Sequence, residues 1–332
     1  MKNKKLIIRI LIAVLAVSVA SGLAFFISDR KADFNSAEKS TVAMNTIMTQ
    51  KIYSEVPGSQ ITDIISIVSI LEDVISFKDD KSHLSLLNSE GSTENVVIAH
   101  ALNTCLDVSK KSGGAFDVSL GELTELWGIG TADEKIPSDE EISDLLSRCG
   151  YENITVDGNK ITLNGDFSVD LGGVGKGMAC DYIMKYLETA EGVNGGVVSV
   201  GGSIVVYGKH NKAGDKWRVA IRHPRNENEF LGVIRLDKGF VSTSGDYERY
   251  FEENGRRYHH ILDGNTGYPS ESGLISVTVV CDSGILSDAL STACFVLGAE
   301  KGAELLKQYG AAGVFVDTDM NITTVGDIDF EN

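Results

Sequence analysis

A glycine-rich segment in the middle of the chain constrains the fold more than any other stretch. Residues 169–177 contain four glycines and Lys176, and they follow an apolar, β-prone run. Residues 178–188 are typical of a helix. Glycine permits close approach of a ligand, and a helix N-terminus offers unpaired N–H groups. The segment therefore predicts a strand-to-helix turn that could cradle an anion. A tight turn without a ligand fits equally well, because no established phosphate-loop pattern is matched.

The charge of the chain restricts its partners. The 332 residues carry a net charge of −17, and 42% of them are hydrophobic, so the chain can bury a large core. This balance argues against a nucleic-acid partner, which requires a basic surface. It does not exclude a phosphorylated ligand, because backbone N–H groups or a divalent cation can neutralise phosphate locally.

The N-terminus is typical of an export signal or a signal anchor. Basic residues within the first nine positions precede an apolar run at residues 10–27, and a small-residue cleavage site at Ser18 to Ala20 is possible. The run is about 18 residues long, near the lower limit for a membrane span. Because the basic flank stays in the cytoplasm, the rest is predicted to be extracytoplasmic. The predicted organisation is a signal peptide or anchor (1–28), a linker (29–40) and one domain (41–332).

The hydrophobic patterns predict an α+β fold, in which helices are inserted among mixed and antiparallel strands. Residues 41–53 are predicted to form a first strand, and residues 60–77 an amphipathic helix. Ser138 and Glu141 form a capping-box signature at another helix start. Beyond Tyr151 the hydrophobic residues recur at about every second position, which is typical of strands, and a hairpin is predicted across residues 157–159. The five cysteines have no Cys-x-x-Cys spacing and are interpreted mostly as small buried residues.

Asp288 and Thr292 are candidate metal ligands. They are four residues apart in a predicted helix, so they lie on one face. A carboxylate and a hydroxyl near a carbonyl of the glycine loop form an oxygen set suited to Mg²⁺. The alternative is purely structural, because an aspartate favours a helix start and a threonine can bond its own helix backbone.

Three further groups of polar or aromatic residues could contribute to a site. His260 lies on a predicted strand, faces the same way as Leu262, and could act as a general base near neutral pH. An ordinary histidine is the commoner outcome. The hydroxyl-rich segment 242–247 could bind a phosphate or simply form a capped turn. Phe77 and Trp127 could stack on an aromatic ligand, although such residues more often belong to the core.

Seven stretches, in one order, resemble the FAD:protein FMN transferase family, which is also called ApbE. They occupy residues 115–117, 126–130, 170–177, 200–202, 242–247, 260–267 and 288–292. The resemblance covers nearly all of residues 41–327. It implies a two-lobed fold with FAD in the cleft and Mg²⁺ at the FAD pyrophosphate. It also implies an enzyme that transfers FMN from FAD to a Ser or Thr hydroxyl of an acceptor protein and releases AMP.

The resemblance assigns roles to individual residues. The implied metal ligands are Asp288, Thr292 and the backbone oxygen of Gly175, and the implied base is His260. Lys176 would add charge near the phosphates. The implied contacts to the flavin and adenine groups are Met44, Phe77, Ala115, Phe116, Asp117, Gly172, Met178 and Leu262.

The implied acceptor is an exported, membrane-bound electron-transfer subunit that carries an Asp-x-x-(Ser/Thr)-Gly-Ala-Thr type of motif. Residues 263–267 match that motif only in part, so we predict no self-flavinylation at Thr266. Two alternatives stay open. The same site could serve a Mg²⁺-dependent FAD pyrophosphatase, in which water replaces the protein hydroxyl. The second alternative is a non-catalytic flavin-binding protein, but the presence of His260, Asp288 and Thr292 argues against it.

Overall fold

The computed structural model describes residues 34–332. The predicted signal or anchor lies outside these residues. Among the helices that are described, none is both long and apolar enough to cross a bilayer. The first strand starts at Ser36, so it occupies part of the segment predicted as a linker.

A large antiparallel sheet forms the centre of the molecule. Each of its neighbouring strands is hydrogen-bonded in antiparallel register, which agrees with the α+β prediction. In spatial order its strands are β1 (Ser36–Ala43), β2 (Thr46–Ser54), β6 (Val193–Val200), β7 (Ser203–Gly208), β10 (Gly239–Gly245), β13 (Leu274–Cys281), β14 (Ala312–Asp317) and β15 (Ile322–Val325).

Three smaller antiparallel sheets surround the large one. Their strands, in spatial order, are β16 (Phe330–Glu331), β9 (Phe230–Leu236) and β8 (Trp217–Arg222) in the first, β3 (Ser92–Glu94), β5 (Lys160–Leu163) and β4 (Ile154–Asp157) in the second, and β11 (Tyr250–Glu253) and β12 (Arg256–His259) in the third. The β4–β5 pair confirms the hairpin predicted across residues 157–159.

The described helices connect these sheets. They are α1 (Pro57–Ile75), α2 (His83–Glu90), α3 (Val96–Ser112), α4 (Gly121–Trp127), α5 (Asp139–Arg148), α6 (Gly175–Thr189), α7 (Gly284–Leu297) and α8 (Ala299–Tyr309). The start of α5 confirms the predicted capping box: the Ser138 hydroxyl accepts from the Glu141 N–H, and the Glu141 carboxylate accepts from the Ser138 N–H.

The large sheet separates two hydrophobic cores. Along β7, Val205 contributes to the core shared with helices α1, α3, α6 and α7, whereas Ile204 and Val206 contribute to the core shared with β8 and β9. This alternation follows from the period of two along a strand. Burying each such aliphatic side chain contributes about 1.5–3 kcal/mol, so the two cores fix the position of the sheet between them.

A third core surrounds Trp127. The indole is fully buried, and its Nε1–H donates to the Gly267 carbonyl at 2.8 Å. Trp127 is therefore a core residue, which was one of the two interpretations of its sequence position. It also anchors the turn at residues 263–267. That turn is closed by the Gly267 N–H, which donates to the Asp263 carbonyl at 2.7 Å.

The strand predicted at residues 41–53 is in fact a hairpin. Met44 and Asn45 form its turn, with φ values of 50° and 56°. Two positive φ values are what a two-residue hairpin turn requires, and asparagine tolerates them well. Methionine seldom adopts this conformation, so the sequence carries only half of the usual turn signal. The Met44 N–H donates to the Glu72 carboxylate of α1 at 3.1 Å, which holds the turn against that helix.

Most cysteines are buried thiols, as predicted. Cys105, Cys180 and Cys294 are buried, and burial raises the pKa of each thiol. Cys149 and Cys281 are partly exposed, and all five are free. Because raised pKa values keep thiols protonated, these residues are packing groups and not nucleophiles.

Candidate active site

The glycine-rich loop brings two helix N-termini into contact. Helix α6 begins at Gly175, inside the loop, three residues earlier than the sequence predicts. A Cβ atom at Gly177 would lie 2.0 Å from the carbonyl oxygen of Gly284, and a Cβ at Gly284 would lie 2.0 Å from that of Gly177. Only glycine fits at both positions. The main structural role of these glycines is therefore the close crossing of α6 and α7.

The first turn of α6 uses most of its N–H groups within the protein. The Gly175 N–H donates to the Leu171 carbonyl at 2.8 Å, and the Gly177 N–H donates to the Asp288 carboxylate at 2.6 Å. The Lys176 N–H has no partner among residues 34–332. Among the described residues at this helix start, the groups that remain available to an anion are the N–H group and the side chain of Lys176.

We expect Gly177→Ala to destabilise the protein by about 3 kcal/mol, because the added methyl group must separate two packed backbones. The matched control is Gly58→Ala at the start of α1, where a Cβ meets nothing within 4 Å. The control should change the free energy of unfolding by less than about 1 kcal/mol. Urea unfolding followed by tryptophan fluorescence measures both values. If the two variants unfold at the same urea concentration, the close contact between α6 and α7 is contradicted.

Asp288 is a buried carboxylate that has no cationic partner among the described residues. Its side chain is only 4% exposed. One oxygen accepts from the Gly177 N–H and the other accepts from the Ser203 hydroxyl, both at 2.6 Å. Both donors are neutral, and no Lys, Arg or His among residues 34–332 forms an ion pair with Asp288. A buried charge is costly unless it is compensated, so this carboxylate is suited to bind a cation.

A row of hydroxyl groups continues from Asp288 along α7. The Ser244 hydroxyl lies 2.8 Å from the Ser291 hydroxyl and 3.2 Å from the Thr292 hydroxyl, and Ser242 lies 2.7 Å from Ser287. The segment at residues 242–247 therefore ends β10 against α7 and does not form an isolated turn. The structure brings Asp288 and Thr292 onto one helix face, as predicted, and places Gly175 at the start of the neighbouring helix.

The donor set fits a magnesium ion. Within the described part of the chain, no three His, Cys, Asp or Glu side chains are grouped so that they could hold a metal. A single carboxylate, a hydroxyl and a backbone carbonyl are all oxygen ligands. Mg²⁺ is commonly bound by one or two carboxylates together with water and substrate phosphates. The observation that supports this fit is that both donors to the buried Asp288 carboxylate within residues 34–332 are neutral groups.

His260 is held in one tautomer by the backbone of Arg249. The strand β12 ends at His259, one residue before His260. The carbonyl oxygen of Arg249 accepts from the His260 N–H at 3.1 Å and lies 3.3 Å from His260 Nδ1. Because a carbonyl can only accept, Nδ1 carries the proton. Nε2 is then an unprotonated nitrogen, and it makes no hydrogen bond to any of residues 34–332.

The surroundings of His260 favour its neutral form. The pKa of His260 lies well below its usual range, chiefly because of burial and then because of the positive charges of Arg249 and Lys176. The neighbouring His259 differs in role. Its Nε2 donates to the Ser270 carbonyl at 3.0 Å, and its Nδ1 accepts from the Ile261 N–H, so both nitrogens are used internally. Of the two, only His260 offers a free base.

Several other predicted contact residues lie around the glycine loop. The Phe116 ring packs 3.5 Å from the position that a Cβ on Gly173 would occupy, and a Cβ on Gly175 would lie 3.9 Å from Met44 Cε. The exposed Gly172 donates its N–H to the Asp170 carboxylate at 2.7 Å. These contacts bring Met44 and the turn after α3 to the start of α6.

The remaining predicted contacts have less access to a ligand. Met178 is fully buried, and Ala115 and Leu262 are almost so. Phe77 is partly exposed, and its ring closes over Gly121. Asp117 is held by the N–H groups of Ser119 (2.8 Å) and Tyr151 (3.0 Å), while burial raises its pKa.

The sequence reasoning overlooked Asp170 and Arg249. Burial raises the pKa of the Asp170 carboxyl, while the Gly172 N–H and the positive charge of Arg249 lower it. Asp170 begins the stretch at residues 170–177 but is given no role there, and Arg249 lies outside all seven stretches of the resemblance. Only the folded chain brings their charges together.

The fold and the site define an antiparallel α+β protein in which the starts of two crossing helices hold a buried carboxylate, and in which a separate histidine keeps one ring nitrogen free. Comparison with known proteins is more specific. The ApbE family matches residues 44–315. The chain belongs to the ApbE family.

Relatives and solved structures agree with this assignment. The chain is 30% identical over 312 residues to a FAD:protein FMN transferase of Treponema pallidum, a match that covers 86% of this chain and 85% of the relative. The crystal structure of an ApbE protein from Thermotoga maritima superimposes with a TM-score of 0.81 at 31% identity, over 88% of this chain and 97% of that one. The apo crystal structure of the flavinyl transferase ApbE of Pseudomonas stutzeri superimposes with a TM-score of 0.77 at 29% identity, over 89% of this chain and 95% of that one. The α+β fold is thereby confirmed.

Proposed function

We propose that this protein is a Mg²⁺-dependent FAD:protein FMN transferase. It would transfer FMN from FAD to a Ser or Thr hydroxyl of an acceptor protein and release AMP. The observation that carries the proposal is the buried Asp288 carboxylate, which lies at the crossing of α6 and α7 and has no cationic partner in the described part of the chain. The names of the relatives supply the substrate, FAD, and the general nature of the acceptor, a protein.

Asp288, Thr292 and the backbone oxygen of Gly175 would hold the metal ion. When bound, Mg²⁺ would neutralise the negative charge of the FAD pyrophosphate. The free N–H and the ammonium group of Lys176 lie at the same helix start and would bind phosphate oxygens. Together these groups offer positive potential locally in a chain whose net charge is −17.

His260 would act as the general base. Its free Nε2 would take the proton from the acceptor hydroxyl as that oxygen attacks the phosphorus of the FMN moiety. The bond from this phosphorus to the bridging oxygen breaks, and AMP leaves with the bridging oxygen. The low pKa of His260 keeps its imidazole neutral and able to accept a proton at pH 7.

FAD would bind along the wall that surrounds the glycine loop. The residues proposed to contact the flavin and adenine groups are Met44, Phe77, Ala115, Phe116, Asp117, Gly172, Met178 and Leu262. The partial exposure of Phe77 supports a stacking role.

The acceptor and the location of the enzyme are further parts of the proposal. The acceptor would be a membrane-bound electron-transfer subunit with an Asp-x-x-(Ser/Thr)-Gly-Ala-Thr type of motif. The apolar run at residues 10–27 would place the catalytic domain on the extracytoplasmic side of the cell membrane, or would direct secretion after cleavage.

The test is to incubate the full-length protein with FAD and Mg²⁺, with and without an acceptor domain that carries this motif. We expect AMP release that depends on the acceptor, together with a mass increase of one FMN on the acceptor and none on Thr266 of the enzyme. AMP and free FMN released without acceptor dependence would identify a pyrophosphatase instead. FAD binding without any AMP would overturn the catalytic proposal.

A further inference from the structure

A cation whose charge acts on the proposed base has no role in the proposed reaction. Arg249 lies in the turn between β10 and β11. Its guanidinium makes no hydrogen bond or ion pair with any of residues 34–332. Nearby arginines behave differently: Arg225 forms two hydrogen bonds of 2.7 Å to the Asp246 carboxylate, and Arg257 lies 3.7 Å from the same residue. Within the residues that the structure describes, Arg249 is therefore unpaired, whereas Arg225 and Arg257 are paired.

The side chain of Arg249 is partly enclosed by the surrounding protein. It is accessible to solvent, yet the surrounding protein lowers the pKa of its guanidinium through desolvation. Its stem packs beside Gly130, where an added Cβ would lie 3.4 Å from Arg249 Cδ. Asp170 and Glu248 attract the guanidinium electrostatically, but neither approaches to ion-pair distance. The guanidinium therefore has protein on one side and is open to a ligand on the other.

The backbone of Arg249 ties this cation to the proposed base. Its carbonyl accepts from the His260 N–H at 3.1 Å and lies 3.3 Å from Nδ1. Lys176, at the start of α6, is the second cation whose charge acts on His260. The ammonium group of Lys176 also lacks an ion pair within the described chain. Two unpaired cations thus act on His260.

We propose that Arg249 is an anion-binding residue of the active site and donates a pair of hydrogen bonds to anionic oxygens of a substrate bound beside His260. This inference rests on the proposed function. A guanidinium presents forked donors that match two oxygens of a phosphate or a carboxylate. The oxygens could belong to the FAD pyrophosphate or to a carboxylate of the acceptor protein. In either case Arg249 would orient the substrate at the base.

The test compares Arg249→Gln and Arg249→Lys with the wild type in the full-length chain. The matched control is Arg235→Gln, because Arg235 pairs on β9 with Asp329 and Glu331, outside the proposed site. Calorimetry measures the Kd of FAD and of inorganic pyrophosphate, and steady-state assays measure kcat and the KM for the acceptor. Removing one preorganised donor should lower kcat/KM for transfer about 10²–10³-fold. Arg249→Lys should recover part of this loss, and the control should be unchanged.

The separate readouts identify which oxygens are bound. Weaker pyrophosphate and FAD binding with a lower kcat would assign Arg249 to the phosphates. A raised KM for the acceptor with unchanged pyrophosphate and FAD binding would assign it to an acceptor carboxylate. If Arg249→Gln matches the wild type within twofold in every measurement, the inference is wrong. The Kd of pyrophosphate can be measured without turnover. If the wild type proves inactive, the proposed function is contradicted, but the Kd values of the wild type and the Arg249 variants still test this inference. If the glutamine variant does not fold, the lysine variant, which keeps the charge but loses the fork, decides between the same outcomes.

Discussion

Replacing Asp288 by alanine is expected to lower the rate of AMP release from FAD about 10³-fold, since several kcal/mol of charge stabilisation at the pyrophosphate would be lost. The change also leaves the Gly177 N–H and the Ser203 hydroxyl without their acceptor. Losing hydrogen bonds to a charged group costs about 1.5–3 kcal/mol each, so the variant should also unfold at lower urea concentration.

Asp288→Asn separates the two effects. The asparagine oxygen can still accept from Gly177, and its NH₂ group can donate to the Ser203 oxygen, so stability should stay near that of the wild type. The negative charge is nevertheless gone. We therefore expect near-normal unfolding with AMP release as low as in the alanine variant. An asparagine variant that keeps more than a tenth of the wild-type rate would contradict a cation-binding role for Asp288.

Replacing His260 by glutamine is expected to slow transfer of FMN to the acceptor about 10²–10⁴-fold, the usual contribution of a general base. FAD affinity should change little, because the base acts on the acceptor hydroxyl. His83→Gln is a suitable control, since His83 is exposed at the start of α2. Single-turnover transfer and FAD titration measure the two quantities. Equal losses of FAD affinity and transfer rate would point to a binding role instead.

The pH dependence of the wild type should follow from the low pKa of His260. Burial and then the positive charges of Arg249 and Lys176 depress this pKa. The neutral imidazole is the active form and persists until the pH falls through the depressed value. The transfer rate should therefore be constant from pH 7 down to pH 6.5, the ordinary value for histidine, and fall only at lower pH. The His260→Gln variant should lack this fall. A wild-type rate that halves between pH 7.5 and pH 6.5 would contradict the assignment.

Local patterns were sufficient for much of the secondary structure. The Ser138–Glu141 capping box, the hairpin at residues 157–159 and the shared helix face of Asp288 and Thr292 depend on neighbours a few positions away. Each was predicted and each is present. The turn at Met44 was missed, because methionine seldom adopts a positive φ and the hydrogen bond that holds the turn comes from Glu72 of α1.

The sequence by itself determined the family resemblance, the α+β class and the residue types of the candidate site, because these are encoded in short motifs and in periodicity. Only the tertiary structure decided how the groups are used. The Gly177 N–H meets Asp288 across 111 positions of the chain, and the Arg249 carbonyl fixes the tautomer of His260 across 11. The pairing of a carboxylate or a guanidinium depends on every element packed around it. That neither Asp288 nor Arg249 forms an ion pair within residues 34–332 can therefore be read only from the folded chain.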